Sequence, residues 1–298
     1  FISIEDPSIP KTNELMKQCD LVIATGGQPM VRAAHSSGTP AFGVGAGNAI
    51  IINDKTADLA DAASKIKASK TFDLAAGCSC DNAVVIDESV YDDMLAEFRK
   101  VGAHLLDADE KEKLRKTIWP EWPANHIINR HVVASPVDHI AELAGITVPE
   151  GTSFLMVEED ETGDASPFAG EKMSLVLTVY KSSGIDEAIR ITNENHAYSG
   201  HGHSCGIFSA TPENVEKLAL GTYTTRVVVN QPQAATNGGS WVSGMPFTHS
   251  LGCGTWGGNG ISENVALKHY MNNTWVIREI PSFQPTDEEL FAGFTPRG

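Results

Sequence analysis

No stretch of the 298-residue chain is apolar for long enough to cross a bilayer, and its first residues do not read as a charged-then-apolar signal peptide. Basic residues are scarce. Against 38 Asp and Glu stand only 22 Lys and Arg, a net charge of −16, and the basic residues form no cluster. That removes the footprint on which phosphate-backbone binding depends, so neither nucleic acid nor a membrane is an expected partner. Cysteine is sparse as well. Cys19, Cys78, Cys80, Cys205 and Cys253 make an odd, scattered set, whereas a secreted disulfide framework is denser. Reduced thiols in a cytoplasm are the expectation. A metal has little to hold it: Cys78-x-Cys80 and His201-x-His203 are short pairs, and zinc wants a full convergent set of ligands. No metal site is expected. Internal repeats are lacking. So is an opening methionine: Phe1-Ile-Ser-Ile reads like the middle of a strand, which leads us to expect a piece of a longer protein.

What is present is an alternation of strand-like and helix-like segments, the mark of a parallel α/β sheet. "DLVIATGG" (20–27) reads as a buried strand ending in a glycine turn. "MVRAAHSSG" (30–38) suits a helix with Gly38 at its C-terminal cap. "PAFGVGAGNAIIIND" (40–54) is a second strand-and-glycine segment. In "ADLADAASKIKASKTF" (57–72), Leu59, Ala62, Ala63 and Ile66 recur at helical spacing. Strands follow at "AVVID" (83–87), "SFLMVE" (153–158), "MSLVLTVYKS" (173–182), "SCGIFSA" (204–210) and "TRVVVNQ" (225–231). Helices are expected at 12–17, 90–102, 139–146 and 185–194, and at 211–220 with Thr211 as cap. The glycine-rich stretch 237–260 reads as loop, and 281–298 shows no core pattern.

Two cysteines one residue apart, in "SKTFDLAAGCSCDN", raise the question of chemistry. Small residues before Cys78 leave room for a substrate, and a tight loop can turn a backbone N–H toward an oxyanion. A free cysteine is more often a small core residue, and the local pattern favours that reading. It leaves Cys80 as good a nucleophile as Cys78. "ATGGQPM" and "GVGAGN" each follow a strand and permit close backbone approach to a cofactor, but neither is a G-x-G-x-x-G fingerprint, and ordinary turns explain them equally. Glu171, before an apolar strand, reads by default as a solvated charge, and His203 as a hydrogen-bonded structural histidine.

Taken together, "VIATGGQPMVRAAHSSGTPAFGVGAGN", "SKTFDLAAGCSCDNAVV", "GEKMSLVL", "GHSCGIFS", "RVVVNQP" and "LGCGTWGGNGISENV" resemble, in order, the aldehyde dehydrogenase superfamily, and within it the coenzyme A-acylating branch. The resemblance implies an α/β fold: part of a Rossmann-like cofactor domain (1–76), an α/β catalytic domain (77–262) and a C-terminal oligomerisation arm (263–298), in a homo-oligomer. It puts the nucleophile on Cys78, which would add to an aldehyde, carry the acyl group as a thioester and pass it to coenzyme A, with NAD or NADP as oxidant. His203 falls on a histidine shared by the branch and is taken as catalytic, its role open. Thr25, Gly26 and Gly27 match the turn beside the nicotinamide, Gly45 lies in the second glycine segment on the cofactor side, and Glu171 matches a glutamate that hydrogen-bonds the nicotinamide ribose. Hydrolytic members carry a general-base glutamate where this chain has "GVGAGN", so acyl transfer to a thiol is the expected outcome. "CSCDN", "TTRVVVNQPQ", "GMPFT" and "NNTWVIREI" look most like acylating sulfoacetaldehyde dehydrogenases. The family's first cofactor-domain strands and its oxyanion asparagine match positions before Phe1. An incomplete, non-catalytic scaffold therefore stands as an alternative, beside a hydrolytic enzyme.

Overall fold

The computed structural model describes residues 3–294. Phe1 and Ile2, which open the expected mid-strand segment, and residues 295–298 of the expected arm lie outside the described residues. Residues 1–266 form one compact unit and 267–298 another.

In the first unit, α1 (Ile9–Gln18) precedes β1 (Val22–Thr25), α2 (Gln28–His35) and β2 (Ala41–Val44). β1 and β2 pair in parallel, Val22 with Ala41 through Thr25 with Val44. Gly43 lets α2 lie close on this pair, since a Cβ there would stand 2.5 Å from Val31 Cγ1. β3 (Ala49–Asn53), α3 (Leu59–Thr71), β4 (Asp81–Asp87), α4 (Tyr91–Lys100), β5 (Ala103–Leu105), α5 (Ala108–Ile118), α6 (Val137–Ala144), β6 (Phe154–Glu158), β7 (Val176–Ser182), α7 (Ile185–Tyr198), β8 (Cys205–Phe208), α8 (Pro212–Gly221), β9 (Val227–Val229) and α9 (Gln233–Asn237) follow. They build a seven-stranded sheet in the order β5-β6-β7-β4-β3-β8-β9, parallel throughout. Among its described residues the second unit carries a 3-10 turn at Leu267–Tyr270 and an α-helical turn, α10 (Asp287–Leu290), and exposes Trp275, Val276 and Ile277.

A parallel sheet covered on both faces asks for near-continuous apolar strands, and β3 and β4 supply them. Strand alternation sends Ile51, Val84 and Ile86 to a core under α3, α4 and α6, and Ile50, Ile52, Ala83 and Val85 to a second under α7 and α8. On α3 the Asp58 side chain caps the Asp61 N–H, and Ala62, Ala63 and Ile66 are fully buried, the face read from sequence.

Three details differ from the sequence reading. α2 ends at Ser36, and Gly38, at φ +85°, lies beyond the cap. Thr211 stands at the N-cap of α8, but its hydroxyl makes no cap bond and meets Thr56 Oγ1 instead, 3.2 Å away. "PAFGVGAGNAIIIND" is two strands in two sheets. β3 precedes the expected domain boundary at 76/77, yet Ile50 pairs with Ala83 and with Cys205 in the larger sheet. The change of sheet falls between Val44 and Ala49.

Because every strand runs the same way, the segments entering β3, β4, β7, β8 and β9 collect at one edge: Gly47-Asn48, Cys78, Glu171, His203-Ser204 and Arg226.

Candidate active site

α3 reaches β4 through a left-handed turn. Asp73, Leu74 and Ala75 have φ of 46°, 51° and 61°, a conformation costing roughly 1–2 kcal/mol per non-glycine residue. The turn delivers Cys78 to the amino end of β4, on a cavity of about 730 Å³ that Thr25, Phe72, Phe247 and Leu251 also line. Behind the loop Gly47 is indispensable: a Cβ there would stand 2.1 Å from the Cys78 carbonyl oxygen. Cys80 turns the other way, 5 % exposed, its thiol 3.4 Å from Phe72 O.

His203 is buried behind Cys78, with Nε2 3.2 Å from Sγ. Its Nδ1 meets Ser204 Oγ at 2.8 Å, and Asn237 Nδ2 donates to the same oxygen at 3.1 Å. Arg226 clamps the main chain here, donating to His203 O (3.0 Å), Gly252 O (2.9 Å) and Asn264 Oδ1 (2.9 Å). Burial, with the Arg226 charge beside it, holds the imidazole down to about 3, so it is neutral near pH 7. Burial, then the charge of Glu171, pushes the Cys78 thiol up to about 12.

Glu171 is itself raised to about 7 by burial, against the pull of Lys70 and Lys172. It opens on a neighbouring cavity of about 420 Å³ with Trp119, His126 and Tyr198. Buried asparagines fix this region: Asn82 Nδ2 donates to Asn48 Oδ1 (2.5 Å) and Gly170 O (2.7 Å), and Asn48 Nδ2 to Ala169 O (2.9 Å).

Of the residues expected from sequence, Cys78 and Thr25 share one cavity and His203 backs the thiol. The Thr25 hydroxyl sits 2.8 Å from Ser250 Oγ. Gly26 and Gly27 form the turn after Thr25. Gly45 donates its N–H to Asn259 Oδ1 (3.2 Å) and lines a third cavity with His196, His201 and Trp256. Ser204, Asn237, Asn48 and Lys70 escaped the sequence reading. Their one signal is a polar residue set against an apolar strand or a small-residue run, as in "HSCGIF" and "PQAATN". Among the described residues no cluster of three or more His, Cys, Asp or Glu could hold a metal ion, and no helix is long and apolar enough to cross a membrane.

The parallel sheet, with its thiol loop at the amino edge, makes this an α/β protein of aldehyde dehydrogenase-like fold. It superimposes with a TM-score of 0.86 on an acetylating aldehyde dehydrogenase from Geobacillus thermoglucosidasius, 35% identical, covering 93% of this chain and 61% of that one. No family model matches the chain. It is 44% identical over 292 residues to the sulfoacetaldehyde dehydrogenase (acylating) of Bilophila wadsworthia, covering 98% of this chain and 63% of the relative. It is 40% identical over 270 residues to the succinate-semialdehyde dehydrogenase (acetylating) of Clostridium kluyveri, covering 90% and 58%. The chain thus spans about three fifths of the length of the curated relatives it matches. Over nearly all of its own length it is similar to acylating and acetylating aldehyde dehydrogenases.

Proposed function

We propose that the chain is the thiol-bearing part of a coenzyme A-acylating aldehyde dehydrogenase, cytoplasmic and homo-oligomeric, with sulfoacetaldehyde as its leading substrate. The observation that carries the reading is the Cys78 sulfur, on a cavity of about 730 Å³ and 3.2 Å from His203 Nε2. Cys78 Sγ adds to the aldehyde carbon, giving a thiohemiacetal, and after oxidation holds the acyl group as a thioester until the coenzyme A thiol takes it. A nicotinamide dinucleotide, NAD or NADP, supplies the acceptor for the two electrons when bound. The residues fit its nicotinamide end. A Cβ at Gly26 or Gly27 would meet nothing closer than 3.6 Å, so packing does not demand glycine there, and Thr25 shares the cavity of the thiol. Glu171 is the residue we assign to the ribose. The apolar strip at Trp275–Ile277 supports a role for the second unit in self-association.

Thiol transfer is favoured over hydrolysis because "GVGAGN" has no carboxylate, and Gly47 lies against the Cys78 main chain with no room for a side chain. The names of the matched relatives support the same step, and they bring succinate semialdehyde into the substrate panel. In the full-length protein, reduced cofactor should form in a burst of one per active site without coenzyme A and then slow by about 10²–10⁴-fold, the usual worth of general-base help. Adding coenzyme A should restore fast turnover. Fast repeated turnover without it would overturn the reading and direct attention to Glu171, whose carboxyl at about 7 has the strength of a water-activating base.

A further inference from the structure

We infer that Ser204 and Asn237 are positioning residues that lock His203 in the form protonated on Nε2, making it a hydrogen-bond donor to the Cys78 sulfur rather than the acceptor of its proton. The inference deepens the reading of Cys78 as nucleophile and rests on it.

The direction of each bond follows from what the groups can give. An amide nitrogen only donates, so Ser204 Oγ accepts from Asn237 Nδ2 at 3.1 Å. The hydroxyl then has one proton and, among the described residues, one remaining partner, His203 Nδ1 at 2.8 Å. Nδ1 therefore accepts. A neutral imidazole carries its proton on the other nitrogen, and that nitrogen faces Cys78 Sγ at 3.2 Å. The amide orientation is held by the same accounting. As it stands, Asn237 leaves only Oδ1 buried without a partner. Turned over, it would strand an NH₂ with two donors, and buried unpaired donors are the rarer outcome. The backbone adds a second anchor, since Asn264 Nδ2 donates to Asn237 O at 2.9 Å.

The charges around the pair agree. Burial, and the charge of Arg226, which donates to His203 O, disfavour a second proton on the imidazole. Burial, and then the charge of Glu171, disfavour a thiolate at the sulfur. An N–H aimed at Sγ works against both: it stabilises the thiolate once the thiol has lost its proton to solvent, and again when the thioester releases it, and no proton moves through His203.

Two measurements on the full-length protein, made without aldehyde, cofactor or coenzyme A, test this independently of dehydrogenase activity. Long-range ¹H–¹⁵N spectra of the histidine rings, with His203 assigned by His203→Gln, should show Nε2 protonated and Nδ1 bare. Iodoacetamide alkylation of Cys78 against pH, with Cys78→Ala as the blank, should slow at neutral pH by about tenfold in Ser204→Ala, the scale of a hydrogen bond to a charged group, and recover in Ser204→Thr. Asn237→Asp should do more than weaken the chain. A carboxylate only accepts, so it accepts the Ser204 O–H, Ser204 Oγ in turn accepts an N–H from Nδ1, and the imidazole switches tautomer. Nδ1 protonated in the wild-type protein would overturn the inference even if every variant misfolds. So would Asn237→Asp leaving both the tautomer and the alkylation rate unchanged.

Discussion

At the carboxyl edge of the seven-stranded sheet Asp54 accepts from Ser209 Oγ (2.5 Å), Thr56 Oγ1 (3.0 Å) and Asn214 Nδ2 (3.0 Å). Burial works against its charge, yet these bonds hold the carboxyl below its ordinary value. At the amino edge the balance reverses. Burial dominates there, raising Asp81 and Glu171 to about 7 and lowering Lys70 to about 8. Asp81 Oδ2, His196 Nδ1 and Asn237 Oδ1 are buried without partners; at the carboxyl edge Asn53 is the exception. Open α/β sheets ordinarily take their ligands outside the carboxyl ends of the strands. Here that edge is tied shut, and the thiol and its cavity sit at the other. Side chains held off their ordinary protonation states are a poor way to secure a fold and a useful way to do chemistry.

The largest effect that could break this contrast lies within the amino edge. Cys78→Ala should abolish turnover in the full-length protein, while Cys80→Ala, which touches only the core side of the loop, should keep a measurable fraction. The reverse pattern would move the chemistry off the cavity. At the carboxyl edge Asp54→Ala removes the acceptor of three hydrogen bonds and should lower unfolding stability by about 3 kcal/mol. Turnover per folded molecule should stay unchanged, as read by urea unfolding beside activity.

Two aspartates sharpen the contrast through opposite pH slopes. Asp81 has a folded value of about 7, above its ordinary 3.8, so its contribution is fully present below pH 3.8 and lost as pH rises through 7. Asp54 is held below 3.8, so its contribution is present above that pH and lost as pH falls past it. Wild type should therefore lose stability relative to Asp81→Asn as pH rises from 4 to 8, and relative to Asp54→Asn only in acid. Parallel slopes would mean the two edges are electrostatically alike. The smallest effect is at the left-handed turn. Leu74, at φ 51° and 39 % exposed, should accept glycine with a gain of about 1 kcal/mol, against the usual penalty for glycine.

Much of this was readable from the chain. The buried face of α3 follows from Ala62, Ala63 and Ile66, and the apolar strands announce a parallel sheet. The left-handed turn did not show, because Asp73-Leu74-Ala75 contains no glycine and its conformation is imposed by what surrounds it. The split of "PAFGVGAGNAIIIND" was hidden because a run of apolar and glycine residues does not say which sheet each half joins. Cys78 stood apart from Cys80 only through the family resemblance; the structure adds that one thiol meets a cavity and the other a core. Ser204 and Asn237 were invisible because their bond joins a strand entry to a helix far along the sequence, and neither residue type is unusual where it stands.

The strand order also sets a timetable for synthesis. Of the described strands of the large sheet β3 is made first, and it ends between β4 and β8, with Ile50 paired to both Ala83 and Cys205. β4 arrives soon after. The β8 flank stays bare until β5, β6, β7 and α7 have also been made. Throughout that interval Ile50-Ile51-Ile52 presents an open, apolar strand edge, the kind that seeds association between growing chains. The protein is open to aggregation as it is being made, at a strand that ends fully buried.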